Sequence, residues 1–406
     1  MPKGMITGPQ PDAVEAGAEI LRAGGNAVDA ALACAFVQTV VDPMMCGIAG
    51  FGAMQVLMPG KGVHEIIDFH GQVPAAATPD MWEDRILGET DDGFGFILEG
   101  AVNDLGHQAI TTPGTLKAFA QASQRYGTLP WGDLIERAMR FARDGYTLTP
   151  GVQNYWPAPD TPGRVNVLDR LGYSAEGRAV YFDEAGTVRQ IGDTICNPGM
   201  ASSLERIARD GPEVFYTGEI AHQIDADMQA HGGLLSARDL ADYDTQTDAP
   251  LWGSYRGLPF STNRPPGGGI MLIEMLNILE NFDLAAMGHN TPDYIRTVAE
   301  AMKIATTDKD AHVGDPRFYD VPMDRLTDKA YAASHAEAIA RGEKAHVERL
   351  GTSESPGTPH VVTADAAGNI VTMTHTLGMM SGVITDGLGF MYNGAMGVFD
   401  PRPGRA

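Results

Sequence analysis

The sequence predicts a mixed α/β protein, and three observations carry that expectation. Amphipathic helical patterns punctuated by glycine fill much of the first half. A glycine-rich run feeds directly into a strand near residue 51, and a polar linker precedes a strand–turn–strand pattern after residue 360.

In chain order, residues 11–23 read as one amphipathic helix stopped by Gly24-Gly25, and residues 27–41 as a second, stopped before Pro43. Cys46-Gly-Ile-Ala-Gly-Phe-Gly-Ala-Met-Gln-Val-Leu-Met then runs from glycine-rich loop to strand. Residues 115–144 and 201–231 read as helical, the latter closed by His231-Gly-Gly. Thr291-Pro292 is a helix start, with threonine as cap and proline in the first helical position. Residues 340–357 are polar and without apolar period, which predicts a mobile linker. Val361-Val-Thr-Ala, the turn Asp365-Ala-Ala-Gly-Asn, and Ile370-Val-Thr-Met-Thr-His-Thr follow as a hairpin.

Composition narrows the function classes. The 406 residues hold 29 Lys plus Arg against 52 Asp plus Glu, a net charge of −23, so the basic footprint that phosphate binding needs is missing. Neither a nucleic acid nor a membrane is expected as a partner. Three cysteines, Cys34, Cys46 and Cys196, are too scattered for a disulfide framework or zinc cluster. The start shows no charged-then-apolar leader, so a cytoplasmic location is expected, or a periplasmic or secreted one if a leader was removed. Gly47, Gly50 and Gly52 follow a helix and precede a strand, the reverse of a dinucleotide fingerprint. Asp308, Asp310, His312 and Asp315 fit no usual calcium loop, and neither metal nor cofactor is expected.

The junction Gly357-Thr358-Pro359-His360 has the layout of a latent nucleophile. A threonine hydroxyl is weak and needs a base. The threonine's own α-amino group, with a reference pKa of about 7.7–8.0, suits that task near neutral pH, provided the bond before it is first broken. A linker ending in Gly-Thr at the start of a hairpin allows the bend in which the hydroxyl reaches the preceding carbonyl. A loop threonine that merely turns the chain is the competing reading.

Collinear motifs favour the first. Glu15-Ala-Gly-Ala-Glu-Ile-Leu-Arg-Ala-Gly-Gly-Asn-Ala-Val-Asp-Ala-Ala, Cys46-Gly-Ile-Ala-Gly-Phe-Gly, Thr112-Pro-Gly-Thr-Leu and Phe215-Tyr-Thr-Gly-Glu-Ile-Ala come first. His231-Gly-Gly-Leu-Leu, Pro265-Pro-Gly-Gly-Gly, Met275-Leu-Asn-Ile-Leu-Glu, Glu300-Ala-Met-Lys and Gly314-Asp-Pro continue the series, which ends in Gly357-Thr-Pro-His and Asp365-Ala-Ala-Gly-Asn. Together they resemble the gamma-glutamyltranspeptidases over nearly the whole chain. The resemblance implies the four-layer αββα sandwich of N-terminal-nucleophile hydrolases and self-cleavage between Gly357 and Thr358. It also implies a large-subunit-like region 1–357 and a small-subunit-like region from 358, with Thr358 as nucleophile and Thr376 as its hydroxyl partner. The expected partners are a small-molecule amide and water or an amine acceptor, with the chain's own fragments associating as a heterodimer or the protein self-associating.

The chain departs from the family where substrate is held. The Asp-Phe-Arg segment that clamps a glutamyl carboxylate is Asp68-Phe69-His70, and the asparagine two residues after the second threonine is Gly378. In Asn393-Gly-Ala-Met-Gly, Gly397 stands where the amino-binding aspartate is expected, while Asn393 keeps the family residue. Charge-assisted contacts contribute roughly 1.5–3 kcal/mol each, so their loss predicts an acyl group other than glutamyl. Pro359 removes a backbone donor beside the nucleophile. A genuine gamma-glutamyl hydrolase and an unprocessed binding protein are the rival expectations. Relatives of this type continue past Pro401-Arg-Pro-Gly through further strands and a Gly-Gly oxyanion element. The resemblance therefore implies a truncated C-terminal part, or one completed by another polypeptide.

Overall fold

The computed structural model describes residues 4–90, 95–157, 162–347 and 357–403. Its chain divides into two compact units, one built from residues 1–248 and 351–405 and one from residues 249–350.

The first unit is organised around the helix Ala27–Val41, whose residues are all buried. A helix that is apolar nearly all round belongs inside a fold rather than on its surface, and its few polar residues, Asp29, Gln38 and Thr39, are buried with it. Asn26 starts it: its side chain accepts from the Val28 and Asp29 amides at 2.8 and 3.0 Å, and Asp29 returns the contact to the Asn26 amide at 2.9 Å. The preceding helix, Pro11–Ala23, ends at Gly24 in the left-handed region (φ 95°), the conformation in which glycine closes a helix without strain.

Against these helices lies a six-stranded, wholly antiparallel sheet. Its order is Met5–Thr7, His360–Ala364, Ile370–Thr376, Phe51–Met58, Val63–Phe69, Gln246–Asp248. Both edge strands are three residues long, which leaves little unpaired backbone at the sides. The register sets Thr376 opposite Phe51 and Gly52 opposite Phe69. Strand 51–58 alternates half-buried and buried side chains, as does strand 370–376. Val371, Met373 and His375 face the helices, while Thr372, Thr374 and Thr376 share the other face. Among the described residues this is the one large sheet; the remaining strands form two-stranded pairs.

Two long helical expectations resolve into shorter pieces. Residues 115–144 form Thr115–Tyr126 and Trp131–Asp144, interrupted where Pro130 sets a new start. Residues 201–231 fall within Pro198–Asp210, Glu213–Tyr216 and Glu219–Ala230, because Gly211-Pro212 and Gly218 break the run. The helices at 11–23 and 27–41 and the hairpin after residue 360 stand where the sequence puts them. Of the expected linker, residues 348–356 lie outside the described residues, as do 404–406 at the end of the Pro-Arg-Pro-Gly segment. Among the described residues no helix is long and apolar enough to cross a membrane.

The second unit contains a hairpin, Leu251–Tyr255 with Leu258–Thr262, turned by Arg256 and Gly257 with positive φ. Its three long helices are Gly269–Leu279, Pro292–His312 and Lys329–Ala340, packed through Ile278, Ala301, Ala332, Ala336 and Ile339. Thr291 caps the longest of these, accepting from the Tyr294 amide at 3.3 Å. Inside this unit Glu274 is 1% exposed. Burial, and then the adjacent Asp308 carboxylate, holds its carboxyl well above the usual carboxylate range.

Candidate active site

The close approach of strands 51–58 and 370–376 depends on two glycines. A Cβ on Gly50 would stand 2.3 Å from the Thr376 carbonyl oxygen, and one on Gly52 would stand 2.1 Å from that of Thr374. No larger residue fits either position without moving the strand that carries Thr376. The glycine-rich run therefore serves to seat this strand.

At the end of that strand the Thr358 hydroxyl donates to Thr376 Oγ1 at 3.5 Å. The Gly378 amide donates to the same oxygen at 2.9 Å. Both lone pairs of Thr376 Oγ1 are then engaged, and its own proton remains available to a third group. Gly378 takes φ 64°, the left-handed region, which turns its N–H back onto Thr376. Gly357 and Thr358 are exposed and Pro359 is buried; the Pro359 carbonyl accepts from the His375 amide at 3.4 Å. His360 Nδ1 lies 2.7 Å from Thr374 Oγ1, and burial lowers its pKa, which favours the neutral imidazole.

On the opposite face a buried polar chain fixes the strand. His375 Nε2 meets Gln38 Oε1 at 2.8 Å, Gln38 donates to Gln10 Oε1 at 2.6 Å, and Gln10 donates to Asp42 Oδ2 at 2.5 Å. Burial drives His375 down to about 3 and Asp42 up to about 6.

The remaining sequence-selected residues fall into two groups. His70, next to strand 63–69, is held by Asp68, whose Oδ1 lies 2.8 Å from Nδ1 and accepts the His70 amide at 2.9 Å. Its ring lies 6.3 Å from that of Phe51, so it belongs to the Thr376 end of the sheet. Asn393, by contrast, is fully buried and spends its amide inside the chain. Nδ2 donates to the Ala49 and Thr111 carbonyls at 3.1 and 3.0 Å, while Oδ1 accepts from the Thr111 amide at 3.1 Å and its hydroxyl at 2.8 Å. Gly397 is also buried, and a Cβ there would lie 3.1 Å from the Asn103 carbonyl and 3.7 Å from Asp104 Oδ1. Asp104 is already paired with Arg164 at 3.5 Å and with buried Arg170. Beside Gly397, Val73, Ala77, Met81, Trp82, Met396 and Phe399 line a largely apolar cavity of about 240 Å³.

The gamma-glutamyltranspeptidase family model matches residues 13–405. The chain belongs to the gamma-glutamyltranspeptidase family. It is 37% identical over 413 residues to acylase ACY 1 proenzyme of Pseudomonas sp. strain V22, an alignment covering all of this chain and 71% of that protein. It is 35% identical to the glutathione hydrolase proenzyme of Escherichia coli K12, covering 99% of this chain and 68% of that one. Among solved structures, cephalosporin acylase from Bacillus halodurans superposes with a TM-score of 0.82 at 29% identity, over 99% of this chain and 71% of the other. Helicobacter pylori gamma-glutamyltranspeptidase gives 0.73 at 29% identity, over 85% and 96%. The fold is thus that of the N-terminal-nucleophile hydrolases, with one large sheet among the described residues, and the chain is a hydrolase/acyltransferase of this family.

Sequence reasoning did not find the Gly378 amide as the group that orients Thr376, nor the His375–Gln38–Gln10–Asp42 chain behind it. A glycine two residues beyond a strand-end threonine is the only local signal of the first. The second joins residues far apart in sequence and has no local signal.

Proposed function

We propose that this gamma-glutamyltranspeptidase-family chain is a self-processing amidohydrolase, with Thr358 as nucleophile and an acyl donor other than gamma-glutamyl. The observation that carries the reading is the Thr358–Thr376 hydroxyl pair, oriented by the Gly378 amide. In processing, Thr358 Oγ1 adds to the Gly357 carbonyl carbon, the C–N bond breaks, and the nitrogen takes the hydroxyl proton. The Thr358 α-amine is free from that point, and water then hydrolyses the resulting ester, releasing the Thr358 hydroxyl and the Gly357 carboxylate. The amine next accepts the Oγ1 proton as the oxygen attacks a donor amide, and that proton leaves with the departing amine. Water or an acceptor amine removes the acyl group.

Specificity follows from the surroundings. His70 replaces a permanent cation with an imidazole already engaged by Asp68. Gly397 offers no carboxylate to an α-amino group. The neighbouring apolar cavity suits a less polar acyl chain. The similarity to proteins named acylase and cephalosporin acylase supports this reading, whereas that to a glutathione hydrolase supports gamma-glutamyl transfer. A donor panel separates the two. Simple acyl nitroanilides are expected to turn over at least tenfold faster than gamma-glutamyl nitroanilide, and the reverse ranking would overturn the acylase reading.

A further inference from the structure

Three helices of the 249–350 unit each turn one metal-binding side chain inward at the same place. On Gly269–Leu279 the buried stripe runs Ile270, Ile273, Glu274, Asn277, Ile278, so Glu274 occupies a position that helical periodicity assigns to the core. On Pro292–His312 the buried residues Ala301 and Ala305 are followed one turn later by Asp308. On Lys329–Ala340 His335 lies beside buried Ala332 and Ala336. Ligand atoms from Glu274, Asp308 and His335 all lie within 4.8 Å of one another.

Two of these side chains carry buried atoms with no hydrogen-bond partner among the described residues: Glu274 Oε1 and His335 Nε2. An orphaned buried polar atom destabilises a fold, and one that keeps two of them together calls for a group that satisfies both. The third ligand is already oriented from outside. The Tyr331 hydroxyl donates to Asp308 Oδ2 at 2.6 Å, while the Tyr331 ring packs edge-on against His335 with centroids 4.6 Å apart. One residue thus positions two of the three ligands, the arrangement expected of an outer shell.

We infer that Glu274, Asp308 and His335 form a binding site for a divalent first-row transition cation, which ties the three helices together. One imidazole nitrogen and two carboxylates favour Zn²⁺ or a neighbour such as Co²⁺ or Mn²⁺; all-oxygen shells are what Ca²⁺ and Mg²⁺ prefer. Zn–N and Zn–O bonds of about 2.0–2.2 Å set tetrahedral donors roughly 3.4 Å apart, so small side-chain rotations complete the shell. Arg325, stacked on Tyr331, is the nearby cation that the ion must tolerate.

The chain holds a second cluster of similar composition, and it serves as the control. Asp227 and His231 pair at 2.9 Å, and Thr385 donates to Asp227 at 2.6 Å. His107 and His231 stack face to face, with rings 4.6 Å apart and 16° from parallel; their ligand atoms also lie within 4.8 Å of one another, but both imidazoles already face Asp227, at 3.5 and 2.9 Å. Its carboxylate is spent within the chain.

The test uses the full chain, stripped by chelator and then titrated with Zn²⁺ calorimetrically and with Co²⁺ by visible absorption. One site per chain is expected, together with a higher melting temperature in Zn²⁺. Glu274→Gln and His335→Gln should each weaken binding by more than tenfold, and His231→Ala should leave it unchanged. Tyr331→Phe removes no ligand and should weaken binding by roughly tenfold; it decides the matter if the ligand variants do not fold. The inference is overturned if the wild-type chain shows no stoichiometric site. It is equally overturned if binding is lost in His231→Ala, or persists undiminished in folded Glu274→Gln and His335→Gln, or in Tyr331→Phe should those two fail to fold.

Discussion

On strand 370–376, Thr374 and Thr376 emerge on one face and His375 on the other, and the two faces differ in how their polar groups are held. Thr376 has a hydroxyl proton left to give after accepting from Thr358 and Gly378. His375 sits at 0% exposure in a chain of buried side chains running to Asp42. A reacting group needs hydrogen-bonding capacity that a substrate can reach, whereas the unpartnered His375 Nδ1 and Asp42 Oδ1 are sealed in the core. Adjacent residues reach these ends because the pleat sends them into different surroundings.

If the exposed face carries the chemistry, its largest dependence is on Thr358. Thr358→Ala should remain a single uncleaved chain by intact mass and lose activity by roughly 10⁴-fold or more. Its melting temperature should stay near that of the unprocessed protein, since residue 358 is exposed. Cleavage at the Gly357 bond in this variant would break the comparison, because another group would then be the nucleophile.

Thr376 comes next. Removing one oriented donor from a reacting centre typically costs about 10²–10³ in rate. Thr376→Ala should therefore slow both processing and turnover by about that factor without unfolding the protein, and Thr376→Ser should restore most of the loss. If alanine and serine variants are equally slow, the hydroxyl is not the active feature and Thr376 only packs.

The buried face should answer to pH rather than to substrate. Asp42 titrates at about 6 in the fold against an ordinary 3.8, so between those values the folded state binds the extra proton. Its contribution to stability is present at low pH and is lost as pH rises through that window. His375 has the opposite sign: depressed to about 3, it favours the fold above the ordinary histidine range and loses that contribution as pH falls. Asp42→Asn keeps an acceptor for Gln10 and should raise stability by about 2–3 kcal/mol at pH 7.5, with little change near pH 4. Denaturant unfolding at the two pH values checks this, and an equal shift at both would show that Asp42 is not the titrating group.

What the sequence disclosed follows the same division between local and distant causes. Asn26 with Asp29 announces a helix start within four residues, and the polar stretch ending in Gly357-Thr358 announces the hairpin that follows. Both are local, and both are legible. Asn393 is picked out by its motif, yet its buried bonds to Ala49 and Thr111 are visible only in three dimensions. Proximity in sequence groups Asp308 with Asp310, His312 and Asp315. In the fold Asp310 pairs with Lys309 and Asp315 with Arg317, while Asp308 turns toward Tyr331 and Glu274. Charges close in sequence on a helix face different ways, which no spacing rule resolves without the partner helices.

The smallest effect is expected at Gly378, where the two regions meet. Asparagine tolerates the left-handed conformation better than other residues with a side chain, so Gly378→Asn should keep the turn and its amide contact to Thr376. The added Cβ would lie 3.1 Å from the Phe51 ring, a half-buried side chain with room to shift, so the stability cost should stay within about 1 kcal/mol. This substitution restores one polar group of the family's substrate clamp but leaves His70 and Gly397 as they are. Turnover of a gamma-glutamyl nitroanilide should therefore change by less than tenfold, since one neutral hydrogen bond contributes only about 0.5–1.5 kcal/mol. A hundredfold gain from this single change would mean that the carboxylate and amino contacts are already supplied by other residues. The acyl specificity would then rest on Gly378 alone rather than on the joint loss at positions 70, 378 and 397.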